Sequence, residues 1–254
     1  MVLVGIDLAW SEANPSAAVA LRWNGQCGQT FLWSDALGQN WEIVEFVERA
    51  AGAGPALVAI DAPLRVPNET GTRPCDRELS RVYRRAHAQA YPANRRRLGP
   101  IVRGEALAEE LRAKDFTLSP QVEAQRPTRQ VVEVFPHPAM VELFGLLHIL
   151  RYKARPGRSL QFRWKELRRY RELLEGLKEA EPAMDASSIL STANPENLRG
   201  RTLKALEDLL DALFCAYIAL HLWYWGQEGY RSFGDEESGH ILVPIRPRGG
   251  QRHA

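Results

Sequence analysis

Val2-Leu3-Val4-Gly5-Ile6-Asp7 and Ala56-Leu57-Val58-Ala59-Ile60-Asp61 decide how this chain folds. Each is a short run of apolar and β-branched residues that stops at an aspartate. Runs of this length and composition read as buried strands. Between them, residues 17–23 (AAVALRW) and 28–33 (GQTFLW) flank Asn24-Gly25, a pair that accepts the positive φ angles of a tight hairpin turn. Residues 40–51 place Trp41, Val44, Phe46 and Val47 at helical spacing, and Gly52 and Gly54 stop the helix. The order is β-β-β-α-β. With the first three strands as an antiparallel meander, a right-handed crossover sets 56–61 parallel to 2–8 and beside it. Asp7 and Asp61 then emerge together at one carboxyl edge, where ligands collect in open α/β sheets.

The rest of the chain builds outward from that pair. Residues 62–130 are rich in Pro, Arg, Ala and Gln and read as a mostly helical, looped insertion. Residues 131–135 (VVEVF) return to strand composition and halt at Pro136-His137-Pro138. A helix follows from Ala139 to Phe144. A charged helix spans 160–180, a Pro/Ser/Asn-rich connector spans 182–199, and a long, partly apolar helix spans 201–225. A short hairpin over 229–245 and a basic, frayed tail over 246–254 complete the pattern. With 254 residues, this suggests a single α/β domain, 1–254, carrying one large insertion. Cys27, Cys75 and Cys215 lie far apart with no CxxC pair, which excludes a zinc site or a disulfide framework and suits a reducing compartment. The N-terminus reads as a strand rather than a secretion signal, and the longest apolar run, Ala212 to Trp225, is too short to span a bilayer. A cytoplasmic protein with no membrane partner is expected.

Two neighbouring carboxylates repel, and each resists ionisation unless a cation stands between them. Glu133, ending the next strand, falls on or near the same edge. In Leu206-Glu207-Asp208-Leu209-Leu210-Asp211-Ala212-Leu213, Asp208 and Asp211 are spaced i, i+3 and share one helix face beside apolar neighbours. Oxygen-only ligands point to magnesium or manganese. A strand-terminal Asp also serves as a simple turn cap, and an i, i+3 acidic pair also serves as a solvated face. Their coincidence in this element order is what singles them out.

The net charge of +2 hides two basic segments. Residues 65–103 hold ten arginines against three acids (+7), and 151–171 hold nine basic groups against Glu166 alone (+8). Arginine grips phosphate oxygens two at a time. Tyr83, Tyr91, Tyr152, Phe162, Trp164 and Tyr170 are interleaved with these cations, a mixture suited to holding a nucleic-acid backbone and stacking its bases. The 28 arginines against five lysines also reflect genomic base composition, and charged helices are often only solvated.

Val4-Gly5-Ile6-Asp7, Ala59-Ile60-Asp61-Ala62-Pro63-Leu64, Arg73-Pro74-Cys75-Asp76, Glu133-Val134-Phe135-Pro136-His137-Pro138, Asp208-Leu209-Leu210-Asp211-Ala212 and Gly234-Asp235 to Ile241 run in order through the chain. Together they resemble domain-of-unknown-function family 429, within the ribonuclease H-like superfamily. The resemblance implies a five-stranded mixed sheet of order 3-2-1-4-5 flanked by helices, with the helical insertion between strands 4 and 5. It also implies two-metal phosphodiester hydrolysis. Asp7 and Asp61 would be strand ligands, and Asp208 or Asp211 would close the site. Glu133, counted with the catalytic acids, would be an extra ligand or a substrate contact. Arg73, Asp76, Arg77, His137, Lys153 and Arg158 are the candidates for holding substrate. The first turn, Leu8 to Pro15, lacks the glycines of a phosphate loop, which disfavours a kinase. Three readings stay open: a metal-dependent nuclease, a non-catalytic nucleic-acid-binding module, and an enzyme acting on a small phosphorylated or nucleotide-like substrate.

Overall fold

The computed structural model describes residues 1–192 and 194–247. From residue 248 on, the expected frayed tail lies outside the described residues. The strands are β1 (Val2–Asp7), β2 (Ser16–Trp23), β3 (Cys27–Leu37), β4 (Ala56–Asp61), β5 (Thr117–Leu118), β6 (Arg129–Glu133), β7 (Ala183–Asp185), β8 (Tyr230–Asp235) and β9 (Gly239–Pro244). The helices are α1 (Asn40–Ala51), α2 (Pro74–Tyr83), α3 (Arg95–Leu98), α4 (Arg103–Arg112), α5 (Pro136–Phe144), α6 (Leu160–Gly176), α7 (Ser187–Leu190) and α8 (Gly200–Trp225).

The main sheet has seven strands in the order β5-β6-β4-β1-β2-β3-β7, which corrects the expected five. The longer strands β3-β2-β1-β4-β6 run 3-2-1-4-5. Two-residue β5 and three-residue β7 extend the edges, one from the insertion and one from the stretch read as a connector. Pieces this short carry no periodicity for a sequence pattern to register. β2 is antiparallel to β1 and β3, and every other pair in this sheet is parallel.

Strand side chains alternate between two faces, so each strand feeds two cores. Leu3, Leu57, Ala59 and Val132 pack with α8, including Ala212, Leu213, Cys215 and Ala216. Val4, Ile6, Val58 and Ile60 pack with Ile43, Phe46 and Val47 of α1 and with Leu107 and Leu111 of α4. The sheet is therefore sandwiched between helical layers. The β8–β9 hairpin packs on α2 through Phe233, Ile241 and Val243 against Cys75, Leu79 and Tyr83, while Leu242 bridges Val134 and joins the α8-side core. No helix among the described residues is long and apolar enough to cross a membrane.

Candidate metal centre

Asp7 and Asp61 are register partners at the ends of β1 and β4, so adjacent parallel strands present them at one edge. The helix-borne acids reach that edge because α8 lies directly against β1. A Cβ built on Gly5 would stand 2.0 Å from the Ala216 nitrogen and 2.2 Å from the Ala212 carbonyl oxygen. Only a glycine allows this approach. Near this contact, one carboxylate oxygen each from Asp7, Asp208 and Asp211 lie within 4.8 Å of one another. Asp208 and Asp211 are buried.

These acids have internal partners. The Lys153 ammonium pairs with Asp211 and lies 3.9 Å from both Asp7 and Asp208. The Tyr152 hydroxyl donates to Asp211, and Lys204 pairs with Asp208 one turn along α8. The ammonium of Lys153, a candidate for holding substrate, lies among the acids. Lys204 was missed, and Tyr152, expected among the base-stacking aromatics, is buried against Asp211. The i, i+4 spacing of Lys204 and Asp208 was readable, whereas Lys153 reaches Asp7 only through the tertiary fold. Burial pushes the Asp7 carboxyl well above the usual carboxylate range, and the negative charges of Asp211, Asp61 and Asp208 add to the effect against Lys153. Asp61 is pushed up to about 7, first by burial and then by Asp211.

Glu133 also ends its strand near this edge but is committed elsewhere. Arg73 donates to both Glu133 oxygens, at 2.9 and 2.6 Å, and the Leu64 amide donates at 2.9 Å. Arg73 also donates from Nε and Nη2 to Asp76, at 3.1 and 2.7 Å, and from Nη1 to the Arg65 carbonyl at 3.0 Å. All five guanidinium protons are used, and Arg73, Asp76 and Glu133 are each at most 3% exposed. The trio borders a recess of about 80 Å³ with Asp61, Trp10 and Tyr91, but its donors are spent on holding the insertion to the sheet. Arg73→Lys removes the planar fork and leaves two buried carboxylates under-satisfied, so it should cost about 3 kcal/mol in thermal or urea unfolding. An unchanged unfolding midpoint would count against this role.

The other candidates separate clearly. Arg77 is exposed on α2 and borders neither this recess nor the cavity below. Cys75, beside Arg73 and Asp76, is buried, and burial pushes its thiol up, so it stays an un-ionised, inert thiol. Arg103, counted with the basic segment, is buried. It donates to the Ala9 and Ser11 carbonyls, which steadies the loop after Asp7. Of the aromatics expected to stack on bases, Tyr83, Tyr152 and Tyr170 are buried, while Tyr91 is 54% exposed.

His137, Lys153 and Arg158 come together with His87, His148, Arg151 and Arg155 around a cavity of about 600 Å³. Pro136 starts α5 and sets His137 on its first turn, where burial pushes the imidazole down to about 4. Lys153 belongs to both the cavity wall and the carboxylate cluster.

No curated protein and no solved structure matches the chain. A sequence profile for the family described as protein of unknown function DUF429 matches residues 5–238, a span that includes Asp7, Asp61, Glu133, Asp208 and Asp211, and the chain belongs to that family.

Proposed function

We propose that the protein is a divalent-metal-dependent phosphodiester hydrolase, a nuclease in its broad class, on a ribonuclease H-like fold. The observation that carries this reading is the convergence of Asp7, Asp208 and Asp211 within 4.8 Å, with Asp61 in register beside Asp7. The donor set fits the cation. It is all carboxylate oxygen, the set that suits magnesium or manganese. Four carboxylates face two ammonium groups, Lys153 and Lys204, leaving the charge that one divalent ion neutralises. Asp7, Asp208 and Asp211 would hold the metal, with Asp61 completing the edge. The bound metal would supply an activated water and stabilise the oxygen that leaves phosphorus. Lys153 keeps three acids gathered against their mutual repulsion. Arg151, Arg155 and Arg158 offer phosphate-binding forks next to that centre.

The test is hydrolysis of single-stranded, branched and hybrid nucleic acids with magnesium or manganese, alongside manganese binding by calorimetry. Turnover that requires either ion supports the reading. No turnover with either ion, together with no manganese binding, rejects it.

The pH dependence has a defined sign. A carboxyl with a raised pKa keeps its proton, and a ligand must lose it to bind metal. Asp61 releases its proton as pH rises through about 7, and Asp7 is raised in the same direction. Manganese affinity and turnover should therefore rise by about tenfold in all between about pH 6 and pH 8 for the one proton displaced from Asp61. An affinity flat over that window would contradict the assignment.

A further inference from the structure

We infer that the cavity bounded by His87, His137, His148, Arg151, Arg155 and Arg158 takes a terminal phosphate monoester, that of a nucleotide or of a nucleic-acid end. This rests on the hydrolase reading, whose carboxylate centre the cavity adjoins through Lys153.

Size is the first argument. About 600 Å³ suits one small ligand, whereas a site that tracks a strand is an extended groove spanning several nucleotides. Charge is the second. Arg73, Arg95 and Arg163 are each neutralised by a carboxylate. Among the described residues, no carboxylate forms an ion pair with Arg151, Arg155 or Arg158, and no acid lines the cavity. Arg158 donates to the Arg151 and Lys153 carbonyls, and Arg155 donates to the Tyr91 hydroxyl. These contacts hold the side chains without cancelling their charge. Burial and the repulsion of Arg151 and Arg155 lower the Arg158 pKa, outweighing the opposing charge of Glu166. A monoester brings up to two negative charges near neutral pH, since its second pKa is about 6; a diester brings one.

The walls are also built rather than incidental. His87 sits at φ 60, a left-handed conformation uncommon for a residue with a side chain. Its ring stacks on His148 with centroids 5.0 Å apart, and the Ile149 amide donates to the Ala86 carbonyl at 3.1 Å. Segments distant in sequence are thus clamped face to face. With Lys153 shared by the cavity and the acids, an anchored phosphate lies one side chain from the carboxylate centre. Hydrolysis then falls at the linkage next to the anchored end.

The experiment is calorimetric titration of the Asp7→Asn protein without metal, so that nothing turns over. The probes are inorganic phosphate, a nucleoside 5′-monophosphate, and oligonucleotides of one sequence with 5′-phosphate, 3′-phosphate or hydroxyl ends. Binding of a phosphorylated oligonucleotide about tenfold or more tighter than its hydroxyl counterpart assigns the pocket to nucleic-acid ends. Binding of the mononucleotide without that preference assigns it to free nucleotides. Either preference should vanish in Arg151→Gln/Arg155→Gln, whose exposed positions leave the melting temperature unchanged. Equal affinity for phosphorylated and hydroxyl ends, with no binding of mononucleotide or phosphate, overturns the inference. Metal-dependent turnover by the wild type is read separately. Turnover without monoester preference rejects the pocket and leaves the hydrolase; monoester binding without turnover does the reverse.

Discussion

Asp7→Asn is expected to lower metal-dependent hydrolysis by about a thousandfold and, in metal-free protein, to raise the melting temperature by about 4–8 °C. Both effects come from one cause. Asp7 is held by the β1 end beneath α8, and its carboxyl is raised first by burial and then by Asp211, Asp61 and Asp208. With a cation present, that crowding becomes ligation. Without one, it opposes folding. The sign follows from linkage. In the unfolded chain the carboxyl ionises near the ordinary value of 3.8, while in the folded chain it holds its proton to higher pH. The folded state therefore binds more protons above about pH 4, and its stability falls as pH rises through that window. Asparagine keeps the shape and removes the charge, and about 2 kcal/mol of relief corresponds to the stated shift for a chain of this size. The gain should be largest at alkaline pH and vanish toward pH 4. Melting curves with chelator and with manganese check both halves. A variant that loses activity and is also destabilised at alkaline pH would show that Asp7 is held by favourable contacts instead.

The strands that carry these acids were legible because each is a short apolar run with a polar stop. Their register followed from the hairpin at Asn24-Gly25 and the handedness of one crossover. The helix pair Asp208 and Asp211 was legible from its i, i+3 spacing within an apolar surround. Three features were not. Glu133 has the same signature as Asp7 and Asp61, a strand-ending acid, yet is neutralised by Arg73 from the insertion. Strand patterns report where an acid emerges and are silent on which cation meets it. Lys153 lies in a loop without periodicity, so its place among the acids is a tertiary fact. Charge counting likewise grouped Arg73, Arg103 and Arg163 with Arg151, Arg155 and Arg158. The first three are spent internally, on Glu133 and Asp76, on the loop after Asp7, and on Glu207. Composition counts arginines, but burial and pairing decide which retain a free charge.

Gly5→Ala is expected to cost about 4 kcal/mol or more and to weaken manganese binding in whatever protein still folds. The added methyl would meet the Ala216 nitrogen at 2.0 Å, the Ala212 oxygen at 2.2 Å and the Cys215 carbonyl carbon at 2.5 Å. These are backbone atoms of a long buried helix, so no rotamer change relieves the overlap. The helix must lift from β1. Because Gly5 is two residues from Asp7, and Ala212 directly follows Asp211, the same lift draws Asp208 and Asp211 away from the strand acid. Stability and metal affinity should therefore fall together. Gly176→Ala is the control: nothing lies within 4 Å of its Cβ at the end of α6, and alanine there favours the helix. That variant should be neutral or slightly stabilised with manganese affinity unchanged. A second-site Ala216→Gly separates backbone from side-chain crowding. It removes a methyl while leaving in place the three backbone atoms nearest the new Cβ, so it should fail to rescue Gly5→Ala. Recovery of both melting temperature and manganese binding in that double variant would show that α8 and β1 are held apart by side chains, and that the carboxylates do not depend on this backbone contact for their meeting.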